Sequence, residues 1–254
     1  MLSHSVAGAG PDVVLLHGVG LDRTLWDRCL PGLVAEHRVT TVDLRGHGTS
    51  GPASRGTSLG DLAHDVLEVI DAVGATHVHV VGFSLGALVA AHLAIQHRDR
   101  VATLALVSSV ALRTPQERES VLGRLEAARS DLPGTVDAAI GRWFDQDWRQ
   151  REPGLVADVH RTLLSNDPAS YLACYTVFAN GDQEVGPLLG DITAPTLAIT
   201  GSEDPGSTPE MSYRLAEAIP DAQPVVVEGA RHLLPLERPQ ELVAALTKHF
   251  ERTT

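Results

Sequence analysis

Short runs of apolar and β-branched residues alternate along the chain with longer stretches of helical period. Residues 13–16, Arg38–Val42, residues 78–81, Val101–Val107, and residues 196–200 and 224–227 are predicted as strands. Most are apolar at consecutive positions, the pattern of strands covered on both faces. Between the second and third, Leu59, Leu62, Ala63, Val66, Leu67, Val69 and Ile70 recur three and four apart, which predicts an amphipathic helix over 59–73. Leu85–Gln96 is apolar nearly throughout, as suits a helix pressed against a sheet. A last helix is expected from near Pro239, where proline fits a first turn, to Phe250. Alternation of this kind builds a mostly parallel sheet with helices on both faces. From about Arg113 to Gly186 it stops: the segment is helical in pattern, carries Trp143 and Trp148, and has no strand-like run. The expected organisation is an α/β core of residues 1–112 and 187–254, with a helical cap, residues 113–186, inserted between two strands.

Candidate chemistry sits at the strand ends. Gly82, Phe83, Ser84, Leu85 and Gly86 read G-x-S-x-G directly after a strand and before a helix, the context a nucleophile elbow requires. Small residues two positions either side of the serine are needed because the turn brings them against neighbouring backbone. Without that context, G-x-S-x-G is a common accident in a chain with 23 glycines. The helix start behind Ser84 favours developing negative charge. His17, Gly18, Val19 and Gly20 follow the first strand, and the N–H groups of Val19 and Leu85 are the natural donors to an oxyanion. His17 is read as a brace for that loop.

A serine hydroxyl is a weak nucleophile at neutral pH, so a base must accept its proton. His232, in the loop after the last strand, is the candidate. Asp204, after the preceding strand, would orient it, with the adjacent Glu203 as the rival acid. The chain order Ser84, Asp204, His232 is the order this sheet architecture uses.

Composition narrows the class. In 254 residues, 43% are hydrophobic and 20% charged, as in an ordinary globular protein with a large core. A net charge of −12 makes nucleic acid and anionic membrane unsuitable partners; a small-molecule substrate is expected, and assembly into a homo-oligomer is left open. All basic residues except Lys248 are arginine. Cys29 and Cys174 are too far apart for a C-x-x-C motif and are expected as buried free thiols. The first eleven residues have neither a basic segment nor an apolar run, so no signal peptide is expected and a cytoplasmic setting fits. The histidines follow no metal-ligand spacing and no dinucleotide fingerprint is present, so neither metal nor cofactor is expected.

With these residues in hand, the chain resembles the α/β-hydrolase superfamily over essentially its whole length. The carrying motifs are the H-G-V-G of residues 17–20, the D-L-R-G-H-G-T-S of residues 43–50, the elbow, and the Asp204 and His232 loops. Within the superfamily it is similar to the 3-oxoadipate enol-lactonase group, through Arg142, Trp143 and Phe144, the segments 166–168 and 171–174, and residues 192–196. That similarity implies a serine hydrolase acting on a small ester or lactone that carries a carboxylate, with Arg142 and Trp143 as candidate substrate-binding residues. Departures from the group are a short lead-in before the first clear strand, an unusual residue 178–185 segment, and the Asp204, Pro205, Gly206 turn. Relatives with the same triad include amide hydrolases, carbon–carbon bond hydrolases and perhydrolases. A non-catalytic ligand receptor of the same fold is the reading from another class; keeping both the triad and the oxyanion segments argues against it.

Overall fold

The computed structural model describes residues 1–110 and 112–253; Ala111, at the expected junction with the cap, and Thr254 lie outside the described residues. Its centre is a seven-stranded sheet of β1 (His4–Ala7), β2 (Asp12–Leu16), β3 (Arg38–Val42), β4 (Val78–Phe83), β5 (Val101–Val107), β6 (Thr196–Gly201) and β7 (Ala222–Val227). Their spatial order is β1-β3-β2-β4-β5-β6-β7, and only β1 runs antiparallel to its neighbour. This is the fold that the strand–helix alternation predicts, with one strand more. β1 escapes the pattern because three of its four residues are exposed and it forms no apolar run.

Side chains alternate between two cores, as the two-residue strand period requires. Val14, Leu16, Val80, Leu104 and Leu106 face one core. Val13, Leu15, Val81, Ala105 and Val107 face the other. α1 (Leu30–Leu33) is a short turn beside the second core. α2 (Leu59–Ala72) starts at a capping box in which Ser58 and Asp61 each bond the other's backbone N–H. In α3 (Leu85–Gln96), ten of twelve residues are buried, which accounts for its lack of a polar face.

Between β5 and β6 the described residues form five α-helices, α4 (Pro115–Ser130), α5 (Leu132–Trp143), α6 (Gln146–Arg151), α7 (Pro153–Ser165) and α8 (Pro168–Val185), followed by a 3-10 helix (Gly186–Asp191). Their starts are written locally. Thr114, Asp131, Asp145 and Asp167 each accept a backbone N–H at a helix start, and Pro115, Pro133, Pro153 and Pro168 occupy first turns. The insertion is tied down where it begins. Arg113, almost wholly buried, donates to Asp182 Oδ1 at 2.6 Å, and Arg118 donates to the other oxygen of the same carboxylate at 2.9 Å. The core then resumes with β6, α9 (Pro209–Ala218), β7, α10 (Leu234–Glu237) and α11 (Pro239–Phe250). Pro224 falls within β7, the edge strand, where a missing N–H costs the ladder least. Among the described residues, no helix is long and apolar enough to cross a membrane.

The register delivers four loops to the carboxyl edge. Leu16 pairs with Gly82, so residues 17–20 emerge beside Phe83 and Ser84. Gly201 pairs with Val227, so the Asp204 and His232 loops emerge side by side. The strand order reverses between β2 and β4, and such a switch point is where open α/β sheets bind ligands.

Candidate active site

Ser84 sits between β4 and α3 at φ 55°, ψ −110°, a left-sided conformation that a side-chain-bearing residue adopts only under constraint. The constraint comes from its neighbours. A methyl group at Gly82 would run into the carbonyl of Gly86, and one at Gly86 into the carbonyls of Leu16 and His17. With both positions bare, the helix start closes directly onto the end of β2. Leu85 becomes the first residue of α3, so its N–H has no partner within the helix.

The loop after β2 is held by its histidine. His17 Nε2 accepts from the N–H of Leu44 at 2.9 Å, which leaves Nδ1 protonated to donate to Gly18 O at 2.8 Å. His47 packs edge-on against His17 at 5.0 Å. Burial holds His17 below its usual pKa and pushes His47 down to about 3, and the two hydrogen bonds of His17 brace the loop. The 43–50 motif is scaffold as well. Asp43 accepts from the N–H groups of Arg23 and Thr49, and Arg45 forms two 2.6 Å bonds with Asp65.

His232 Nδ1 lies 2.7 Å from Asp204 Oδ2. Since an ionised carboxylate only accepts, Nδ1 carries the proton and Nε2 is free to take another. Asp204 Oδ1 receives the N–H groups of Gly206 and Ser207 at 2.8 and 2.9 Å. The unusual Asp204, Pro205, Gly206 turn thereby folds two donors back onto the carboxylate, an Asx-type arrangement. Glu203 instead points outward, 3.7 Å from Arg231 and about half exposed.

Two residues that the sequence reading does not single out hold the histidine loop. Ser108, at φ 45°, donates to His232 O at 2.9 Å. Glu237 accepts the N–H of Arg231 at 3.0 Å, and burial pushes its carboxyl up to about 7. The clue to Ser108 is a polar pair ending an apolar strand; Glu237 has only its nearness to His232 in sequence.

Ser84, His232, Val19, Arg142 and Trp143 all line one cavity of about 710 Å³, its open mouth included. Asp204 lies behind His232, outside the lining. Trp143 stacks on the imidazole at 5.5 Å and 26°, while Phe83 approaches it at 5.0 Å. Tyr171, Tyr175 and Phe178, all on α8, complete an aromatic wall opposite the sheet edge. The hydroxyl of Ser207, a residue that borders the cavity, is buried and has no hydrogen-bond partner among the described residues.

Cys29 and Cys174 are buried and free, and burial pushes both thiols up to about 12, so neither is a ready nucleophile. The histidines do gather in space, contrary to the impression their spacing gives. His37 and His79 lie 6.1 Å apart and both pack on Phe250. Among the described residues, no three potential ligands meet in an arrangement that could hold a metal ion.

A mostly parallel sheet, a strained serine between its central strand and a buried helix, and a histidine–carboxylate pair at the same edge define an α/β hydrolase. Residues 11–239 match the family model described as alpha/beta hydrolase fold, and the chain belongs to that family and is a hydrolase. It is 28% identical to the (E)-2-((N-methylformamido)methylene)succinate hydrolase of Acinetobacter baylyi, over 97% of this chain and 92% of that one. It is 29% identical to 3-oxoadipate enol-lactonase 1 of the same organism, over 92% and 86% respectively. The crystal structure of an enol-lactonase from Burkholderia xenovorans superposes with a TM-score of 0.91 at 27% identity, covering 98% of this chain and 96% of that one.

Proposed function

We propose that the protein hydrolyses a small ester or lactone bearing a carboxylate, with Ser84 as nucleophile, His232 as general base and Asp204 as the group that orients it. The observation that carries this reading is the meeting of Ser84, His232 and Arg142 in one cavity, with Asp204 bonded to the far side of the imidazole. In the acylation step Ser84 Oγ attacks the carbonyl carbon as its proton passes to His232 Nε2. The oxyanion rests on the N–H groups of Val19 and Leu85. Collapse breaks the bond to the leaving oxygen, which takes the proton from Nε2; in a lactone that oxygen stays tethered to the acyl group. Water then attacks the acyl-enzyme by the same proton route and restores Ser84. Asp204 keeps Nδ1 protonated throughout and stabilises the transient imidazolium.

Arg142, half-buried in the last turn of α5, is the natural partner for a substrate carboxylate. Burial, together with the charge of Arg124, lowers its pKa, so a bound anion would relieve it. Trp143 beside it covers the base and limits water. The names of the relatives support parts of this reading: one is a hydrolase of a substituted succinate, a carboxylate-bearing substrate, and the other an enol-lactonase. The test is a panel of lactones, esters and amides, with and without a carboxylate, assayed on the wild type and on Ser84→Ala. Turnover that favours carboxylate-bearing esters or lactones and vanishes in the variant supports the reading. Turnover that survives in the variant overturns it.

A further inference from the structure

The insertion carries eight arginines, and four of them are matched to carboxylates within it. Arg113 and Arg118 share Asp182, Arg129 lies beside Glu126, and Arg161 pairs with Asp158. Of the four without a carboxylate partner among the described residues, Arg149 and Arg151 lie away from the cavity, and Arg124 and Arg142 line it. Arg124, on α4, donates to the hydroxyl of Ser120 at 2.7 Å and has no carboxylate partner among the described residues. Arg142 has no partner for its guanidinium among them. Among the described residues, no aspartate or glutamate lines the cavity. The two guanidiniums are close enough that the charge of Arg124 is, after burial, the main influence disfavouring charge on Arg142.

We infer that Arg124 and Arg142 form a two-arginine subsite and that the substrate carries two acidic groups besides the bond that is cleaved. A monoanion would leave one of two neighbouring positive charges uncompensated in a half-buried, aromatic-walled space. A dianion neutralises both, and each guanidinium can offer a carboxylate two parallel N–H donors. Arg124 is then the residue that separates dianionic from monoanionic substrates, while Arg142 serves both. This inference rests on the cavity being the substrate site of the proposed hydrolase.

The experiment uses three 4-nitrophenyl esters, those of tricarballylate, glutarate and butyrate, whose acyl groups bear two, one and no free carboxylates. The wild type should favour the tricarballylate ester in kcat/KM. In Arg124→Met the ratio of tricarballylate to glutarate ester turnover should fall by about tenfold or more, the loss of one charge-assisted contact. In Arg142→Met both anionic esters should lose against butyrate. Arg124→Gln, which keeps a polar side chain at this half-exposed position, should repeat the change in ratio if Arg124→Met folds poorly. Equal losses of both anionic esters in Arg124→Met would mean that the two arginines grip a single carboxylate, which overturns the dianion. An unchanged ratio would remove Arg124 from the site. A binding measurement separates this from the hydrolase reading: by calorimetry, the unreactive dianion glutarate should bind the wild type more tightly than butyrate, and Arg124→Met should abolish the difference. If that preference is present but no ester is hydrolysed, the subsite stands and the reaction assignment fails. If glutarate and butyrate bind the wild type alike, the subsite fails whatever the turnover.

Discussion

The carboxyl edge of the sheet and the helical insertion above it solve different problems. At the edge, the site residues are anchored by backbone. Ser84 is forced into place by two bare glycine positions, Asp204 is bonded by two N–H groups and an imidazole, and the His232 loop is pinned by Ser108 and Glu237. In the insertion, the cavity is lined by aromatic rings, by Thr135 and Ala139, and by two arginines without carboxylate partners among the described residues. The edge is pre-organised, with Asp204 and the His232 loop held by hydrogen bonds. The insertion leaves charge for a ligand to satisfy. A hydrolase built this way keeps its chemistry fixed and lets its specificity be set by a few helix-borne side chains.

The contrast can be broken most severely at the nucleophile. Ser84→Ala should lower kcat by a factor on the order of 10⁶, as the loss of a triad serine does elsewhere, while circular dichroism and melting temperature stay near wild type. A residual rate above a tenth of wild type would contradict the assignment. Next is the acid: Asp204→Asn should cost roughly 10⁴ in kcat, because the amide favours the wrong imidazole tautomer. Glu203→Gln should change kcat little, since Glu203 faces Arg231 and solvent. The opposite order in steady-state assays would mean that the carboxylates have been interchanged.

The insertion side should respond in KM and selectivity. Arg142→Met should lower kcat/KM on 4-nitrophenyl glutarate by about tenfold or more, the scale of one lost charge-assisted bond. Its effect on the butyrate ester should be much smaller. Comparable losses on the two would place Arg142 outside the anion site and favour a general carboxylesterase.

The smallest effect concerns stability and pH. The raised pKa of Glu237 means that the folded protein holds a proton that the unfolded chain releases between its ordinary value of 4.5 and about 7. Its burial therefore stabilises the fold less as pH rises through that window. Glu237→Gln keeps an acceptor for the N–H of Arg231 and removes the titration. Relative to wild type, its melting temperature should be higher at pH 8 than at pH 5. His47 acts in the opposite direction. Held near 3 by burial, it stays neutral in the fold while the unfolded chain takes up protons below its usual value of 6.5, so stability is lost on acidification. A difference between variant and wild type that does not change with pH would exclude titration of Glu237.

The same contrast explains what could be read from the chain. The sheet, its parallel order and the Ser84, Asp204 and His232 loops were legible because buried strands are continuous apolar runs and tight turns demand glycine. β1 was not, since an exposed four-residue edge strand forms no such run. Ser108 and Glu237 were not, because each acts through one long-range or turn contact with no spacing to mark it. Trp143 and Arg142 could be noticed as residues, but a helix of mixed composition does not reveal which side faces a cavity. Nor does it show that Arg124, eighteen positions earlier and on another helix, shares that cavity.

The central claim is that Ser84 becomes acylated by a substrate whose carboxylate the insertion holds. Rapid mixing of the wild type with 4-nitrophenyl glutarate, followed by acid quench and peptide mass analysis, tests it directly. The account predicts a glutaryl group on the peptide containing Ser84, absent from Ser84→Ala and much reduced in Arg142→Met under the same sub-saturating conditions. An acyl group on another residue, or turnover that persists without any adduct in Ser84→Ala, would contradict it.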